Sequence, residues 1–234
     1  SRDEYPDGIT SSDFHDCTSS ISDYTKQTEV QECRLSGMWD FNSSSDKVRD
    51  IQSDYLASLY KLGVAGFRVD AAKHINTDDL KAIKSETATK VGKSASDIYW
   101  IQETIGNSSE AAGIQPSNYT QNGDVTEFGF KSEMNQNFKG KISNLKGLSG
   151  RLMDSDSANV FVTNWDTARS EGALTYKDGA RYQLANAFML SYGYGTPRLI
   201  SDYKFSANDD GAPGAPATSL PDVDTDTACS TTTS

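Results

Sequence analysis

Apolar residues along this chain switch between two rhythms. From 46 to 62, Val48, Ile51, Tyr55, Leu59 and Leu62 recur at spacings of three and four, the period of an amphipathic helix, with Ser45 and Asp46 placed to cap its start. Gly63 to Val69 is then a short apolar run interrupted by one arginine, which predicts a buried strand over 63–70. The alternation continues with a helix at 77–91, a strand at 97–103 rich in β-branched and aromatic residues, a strand at 124–129, a helix at 131–145, a strand at 159–164, a helix at 179–192 and a strand at 197–201. Leu184, Phe188 and Leu190 mark the helix at 179–192 as well buried. Residues 1–45 are polar and irregular with no convincing helix, and 206–234, rich in Gly, Pro, Ala, Ser, Thr and Asp, reads alone as a linker. No internal repeat is visible. Helices alternating with strands predict an α/β fold.

Three of the predicted strands end in a carboxylate: Asp70, Glu103 and Asp166. In parallel α/β barrels the reactive groups sit at the C-terminal ends of strands, so Arg68, Asp70, Lys73 and His74 would crowd one rim. Taken alone, Asp70 reads equally well as a cap for the next helix or a partner for Arg68. Three such carboxylates in order, with these neighbours, shift the balance toward chemistry.

The neighbours carry a resemblance. Gly66-Phe67-Arg68-Val69-Asp70-Ala71-Ala72-Lys73-His74, the strand ending in Glu103, and Phe161-Val162-Thr163-Asn164-Trp165-Asp166 resemble, in order, the second, third and fourth signatures of the α-amylases of glycoside hydrolase family 13. The likeness extends over essentially the whole chain, including Asp124 to Phe128 and Tyr194 to Arg198. It implies a partial (β/α)8 TIM barrel, strands four to eight, in which 1–45 is a remnant of the inserted calcium-binding loop domain and 46–234 the C-terminal part of the catalytic barrel. The first three strands, the first signature and the C-terminal β-sandwich would then lie outside this chain. With open strand edges, such a piece is expected to be inactive or poorly folded alone.

The resemblance also implies roles. Glycosidases place two carboxyl groups across the bond to be cut, and at roughly 5 to 5.5 Å separation one attacks C1 while the other protonates the leaving oxygen. Asp70 would be the nucleophile, Glu103 the general acid and then base, and Asp166 the group that holds sugar hydroxyls and stabilises the transition state. The pKa of Glu103 is expected to be raised by neighbouring anions and burial, with Asp70 kept ionised by Arg68. Arg68, Lys73, His74 and Trp165 match sugar-contacting positions; Trp165 stands where the family usually has histidine, and an indole stacks on a pyranose but cannot accept a hydrogen bond. Calcium is implied at Asp40, through its side chain, with the carbonyls of Gln31 and His74. Chloride is implied at Arg68, Asn164 and Arg198. Cys17 and Cys33 are paired by the resemblance, which implies an oxidising, extracellular setting, and Cys229 is left over.

Composition agrees without naming anything. With 22 basic and 33 acidic residues the net charge is −11, which disfavours nucleic acid and anionic membrane as partners. No apolar run approaches the roughly 18 residues of a membrane span. Asn42, Asn107 and Asn118 each open an N-x-S/T triplet, an acceptor for N-glycosylation in a eukaryotic source. Neither an initiator methionine nor a signal peptide opens the chain, although secretion is implied, so a piece of a longer protein is expected. The expected activity of the intact protein is endo-hydrolysis of α-1,4-glucosidic bonds in starch, glycogen and malto-oligosaccharides by a secreted monomer. Rival readings are an α-glucosidase or transglycosidase of the same clan, and a non-catalytic carbohydrate-binding relative. A nucleotide-binding doubly wound domain lacks its G-x-G-x-x-G turn here.

Overall fold

Why Gly66 opens a strand is a matter of space. In the computed structural model, which describes residues 8–169, 172–201 and 203–211, a Cβ at Gly66 would lie 2.7 Å from the carbonyl oxygen of Tyr99 on the neighbouring strand. Only a bare Cα lets β1 (Gly66–Val69) lie parallel against β2 (Tyr99–Gln102), with Gly66 opposite Tyr99 and Val69 opposite Gln102. The obstacle is backbone, which has no rotamer to escape into. Gly66→Ala is therefore expected to cost about 1–3 kcal/mol, read as a lower urea midpoint at unchanged slope. An unchanged midpoint would mean that this strand pair separates freely.

The described residues form two compact units. One runs to Thr126 and adds Asp156–Asn159; the other comprises Glu127–Ser155 and the chain from Val160 on. In the first, a short helix α1 (Gln27–Glu32) precedes α2 (Asp46–Lys61), β1, α3 (Thr77–Lys90), β2 and β3 (Asp124–Thr126). β2 pairs parallel with β3, and Val125 and Thr126 of β3 pair parallel with Ala158 and Asn159 at the start of β4 (Ala158–Val160). The parallel order expected of an α/β chain is thus present. Trp100, Ile98 and Val125 are buried in this unit's core.

Several expected details differ. The segment 1–45, read as helix-free, contains α1, whose one buried apolar residue is Val30. Ser45 occupies the N-cap of α2 but makes no side-chain capping bond. The buried face of α2 is Val48, Ser53 and Ala57, the side packed on α3, whereas Tyr55 and Leu62 are 64% and 83% exposed. Tyr55, Leu56 and Leu59 instead border an apolar cavity of about 330 Å³ shared with Phe67, Ile83 and Trp100. β1 is half-buried rather than buried, since β2 is its one pairing partner among the described residues.

In the second unit, α4 (Phe128–Lys139) starts three residues before the expected 131 and stops before 145. The buried carboxylate of Glu127 explains the early start. It accepts the backbone N–H of Gly129 at 2.7 Å and that of Met153 at 3.0 Å, capping the helix where the aromatic run would otherwise extend the strand. α5 (Ala180–Ser191) buries Ala185 and Met189, one helical turn apart, while Leu184 and Leu190 face outward, so it is a one-sided helix rather than a buried one. β5 (Thr196–Pro197) is shorter than the expected 197–201, and the amide of Arg198 donates to the carbonyl of Val160 at 2.8 Å. Residues 212–234, with Cys229, lie outside the described residues.

Candidate active site

Strand geometry gathers the first site residues. Side chains alternate along a strand, so Arg68 and Asp70 share a face, as do Ile101 and Glu103. The register sets Arg68 opposite Ile101, which puts Arg68, Asp70 and Glu103 on one side of the β1–β2 pair. Trp100 and Gln102, on the other side, are fully buried.

One guanidinium holds both acids. Arg68 donates through Nη1 to Oδ1 of Asp70 at 2.6 Å, and its Nη2 lies 2.7 Å from Oε1 of Glu103. The planar fork keeps those two carboxylate oxygens less than about 8 Å apart, a bound that the roughly 5 to 5.5 Å of a retaining glycosidase pair satisfies. Their exposures differ. The Asp70 side chain is 75% exposed and that of Glu103 is 13% exposed, so one carboxylate is open to solvent and the other is sheltered.

The backbone completes the arrangement. Glu103 N–H donates to Val69 O and Ala72 N–H to Glu103 O, each at 2.9 Å, extending the β1–β2 ladder past the strand ends. Between them Ala71 takes the left-handed conformation, φ 47° and ψ 38°, which costs a residue with a Cβ about 1–2 kcal/mol. That turn aims the Ala71 N–H at Oε2 of Glu103, 3.2 Å away. The left-handed turn next to Asp70 and the Glu103 carboxylate are thus tied together by a hydrogen bond.

Beyond the turn, Lys73 is buried. Its ammonium bonds both oxygens of Glu110, at 2.9 and 3.1 Å, and the carbonyl of Ile105, and it lies over the Tyr24 ring. His74 donates from Nδ1 to the carbonyl of Val30 at 3.1 Å. Burial pushes the pKa of His74 down, so the ring is neutral with Nε2 left as an acceptor. The hydroxyl of fully buried Tyr119 lies 3.2 Å from Lys73 O and 3.0 Å from Ile75 O and accepts from the Gln31 amide. Burial pushes its pKa up to about 12. Glu110, Tyr119 and Tyr24 were not singled out by sequence; they sit in stretches without periodicity, and only the fold shows that they surround the segment after Asp70.

The residues named for calcium meet in the same unit. Gln31 and His74 line a small cavity of about 60 Å³ with His15, and Oδ2 of Asp40 accepts a hydrogen bond from His15 Nδ1 at 2.6 Å. That bond raises the His15 pKa. Among the described residues no three His, Cys, Asp or Glu side chains gather as a metal site, so any cation here would depend on backbone oxygens. One carboxylate with carbonyl oxygens suits calcium rather than zinc. The Cys17–Cys33 disulfide is formed and closes this segment.

The remaining residues belong to the second unit. Asn164 Oδ1 accepts from the N–H and hydroxyl of Thr167, the Thr167 hydroxyl in turn accepts from Asn164 N–H, and Arg169 N–H donates to Asp166 O. These bonds build the turn that presents Asp166, with Trp165 51% exposed beside it. Asn164, Trp165 and Arg198 line one cavity of about 260 Å³, with the Arg198 guanidinium 5.7 Å from the Phe161 ring centre and 5.8 Å from that of Trp165.

Known proteins match this chain over most of its length. An α-amylase of Thermomonospora curvata is 43% identical over 91% of the chain and 35% of its own length, and one of Tribolium castaneum is 38% identical over 94% and 47%. The crystal structure of α-amylase I from Eisenia fetida superimposes with a TM-score of 0.78 at 32% identity, covering 88% of this chain and 47% of that one. This chain belongs to the α-amylase family. No family model matches it. It spans 35 to 47% of the curated relatives' length, so its α/β fold is part of an α-amylase (β/α)8 barrel. A glutamate-to-glutamine variant of the Eisenia enzyme, 33% identical to this chain, has been solved with maltohexaose.

Within an α-amylase frame, Glu127 is instructive. It too follows a parallel strand, yet its carboxylate is consumed by two backbone N–H groups. What distinguishes Asp70 and Glu103 is the shared arginine.

Proposed function

We propose that the protein to which these residues belong hydrolyses internal α-1,4-glucosidic bonds of starch, glycogen and malto-oligosaccharides with retention of configuration. The observation that carries this reading is Arg68 held between Asp70 and Glu103 at adjacent strand ends, in a chain of the α-amylase family. The maltohexaose bound by the Eisenia relative supports the substrate class.

Exposed Asp70 attacks C1 of the sugar, and sheltered Glu103 gives its proton to the departing glycosidic oxygen. The resulting ester on Asp70 is cleaved by water, which loses its proton to Glu103. Arg68 restrains both carboxylates, and the Ala71 N–H limits rotation of Glu103, so little orientation is lost on the way to the transition state. Asp166, presented by its turn, binds sugar hydroxyls. His74 Nε2 accepts from a sugar hydroxyl, and Trp165 stacks on a pyranose. Lys73, spent on Glu110 and Ile105, acts on sugar through the segment it holds in place.

Calcium would be held by Asp40 and the carbonyls of Gln31 and His74, joining the disulfide-closed segment to the one after Asp70. An anion would find donors in Arg198 and Asn164, the residues named for chloride with Arg68, whose own charge is engaged by two carboxylates. The disulfide supports an extracellular location. No helix among the described residues is long and apolar enough to cross a membrane.

Starch digestion by the whole protein tests the reading. Chain lengths should fall throughout the polymer from the first minutes, whereas single glucose units from chain ends would indicate an α-glucosidase. A calcium chelator should lower both activity and the melting temperature, and Asp40→Ala should do the same and abolish further sensitivity to chelation. A variant that loses neither would remove Asp40 from the metal site.

A further inference from the structure

The three N-x-S/T triplets play no part in the chemistry above, and their surroundings differ sharply. Asn118 is closed to modification. Its Nδ2 donates to the carbonyls of Ala112 at 2.6 Å and Gln115 at 3.3 Å, and the next residue, Tyr119, is fully buried. A sugar bonded to that nitrogen would occupy the space of the Ala112 carbonyl. The third position of the triplet, Thr120, has its hydroxyl on Ser117 O. Asn42 is half-buried and followed by buried Ser43; its Oδ1 accepts from Ser44 N–H, while the Ser44 hydroxyl donates to Asp79 at 3.0 Å.

Asn107 is the opposite case. It and its neighbours from Ile105 to Ser109 are exposed. Its Oδ1 accepts from both the N–H and the hydroxyl of Ser109, at 3.0 and 2.8 Å, so the third residue of the triplet is already folded back onto the acceptor amide. Its Nδ2 donates to no group among the described residues. The main chain beneath is fixed: the Asn107 carbonyl accepts from Gln115 Nε2 at 2.7 Å and from Glu110 N–H at 3.0 Å. A firm backbone with an outward, uncommitted amide accommodates a bulky substituent without loss of contacts.

We propose that Asn107 is the N-glycan acceptor of this chain and that Asn118 is excluded by its fold. The donor is an oligosaccharide joined through a diphosphate to a lipid. The Asn107 Nδ2 bonds to the sugar C1, the C1–O bond breaks, the lipid diphosphate leaves with the electron pair, and the amide gives up one proton. The glycan then stands on the loop that leaves Glu103 and is fastened by Glu110 to Lys73.

The test is secretion of the full chain from a yeast host, with site occupancy read by peptide mass spectrometry. Occupancy highest at Asn107 and absent at Asn118, with the glycan lost in both Asn107→Gln and Ser109→Ala, is the expected result. Secreted protein bare at Asn107, or more occupied at Asn42 or Asn118, would overturn the proposal. A second arm reads the geometry without a secretory pathway. In a Cys229→Ser background under native conditions, the Asn107→Cys variant should react with a bulky maleimide at least about 10-fold faster than the Asn118→Cys variant. Equal or reversed rates would count against it.

Discussion

Asp70→Asn is expected to lower kcat on starch by at least about 10⁴-fold, the scale on which loss of a covalent nucleophile is felt. An amide is a poor nucleophile and cannot form the glycosyl ester. The change should leave folding intact, because the Asp70 side chain is largely in solvent, and the amide oxygen can still accept from Arg68 Nη1. KM should move by no more than a few-fold, since no sugar-binding group is removed. Circular dichroism and the melting temperature are the controls. A large drop in stability would mean that the Arg68–Asp70 pair is architectural, which is the alternative that the sequence alone left open.

The second large effect is at Glu103. Glu103→Gln keeps the shape, and its amide can still accept the Ala71 N–H, but it has no proton to give. Loss of general acid catalysis costs typically about 10²–10⁴-fold. The loss should depend on the leaving group: from an α-maltosyl fluoride the fluoride ion departs without protonation, so the variant should form the glycosyl-enzyme nearly as fast as wild type with that substrate but not with starch. Equal losses on both substrates would show that the substitution disturbs the site through Arg68, whose Nη2 lies 2.7 Å from the Glu103 carboxylate, rather than by removing an acid.

Much of this was legible in the sequence, for reasons that particular residues show. Parallel strands leave periodic traces, so β1, β2 and the carboxylates after them could be placed from apolar runs and their ends. The conformation of Ala71 could not be read, because nothing local favours a left-handed alanine; the Glu103 carboxylate and the β1–β2 ladder impose it. α1 was invisible because a six-residue polar helix has one buried apolar anchor, Val30, and is held by tertiary contacts such as Gln31 with Tyr119. The face of α2 was misjudged because Tyr55 and Leu62 look like core residues by period alone, whereas the side packed on α3 is built from small residues, Ser53 and Ala57. The partnership of Lys73 with Glu110 spans 37 positions and leaves no local signal.

The most direct test of the central claim is to trap the intermediate. The whole protein would be incubated with a fluorinated α-maltosyl fluoride that forms the glycosyl-enzyme quickly and releases it slowly, digested at low pH, and read by peptide mass spectrometry. The account predicts one glycosyl unit on the peptide from strand β1, localised to Asp70, and α-configured product from the natural substrate. Label on another carboxylate, or β-configured product with no label at all, would contradict it.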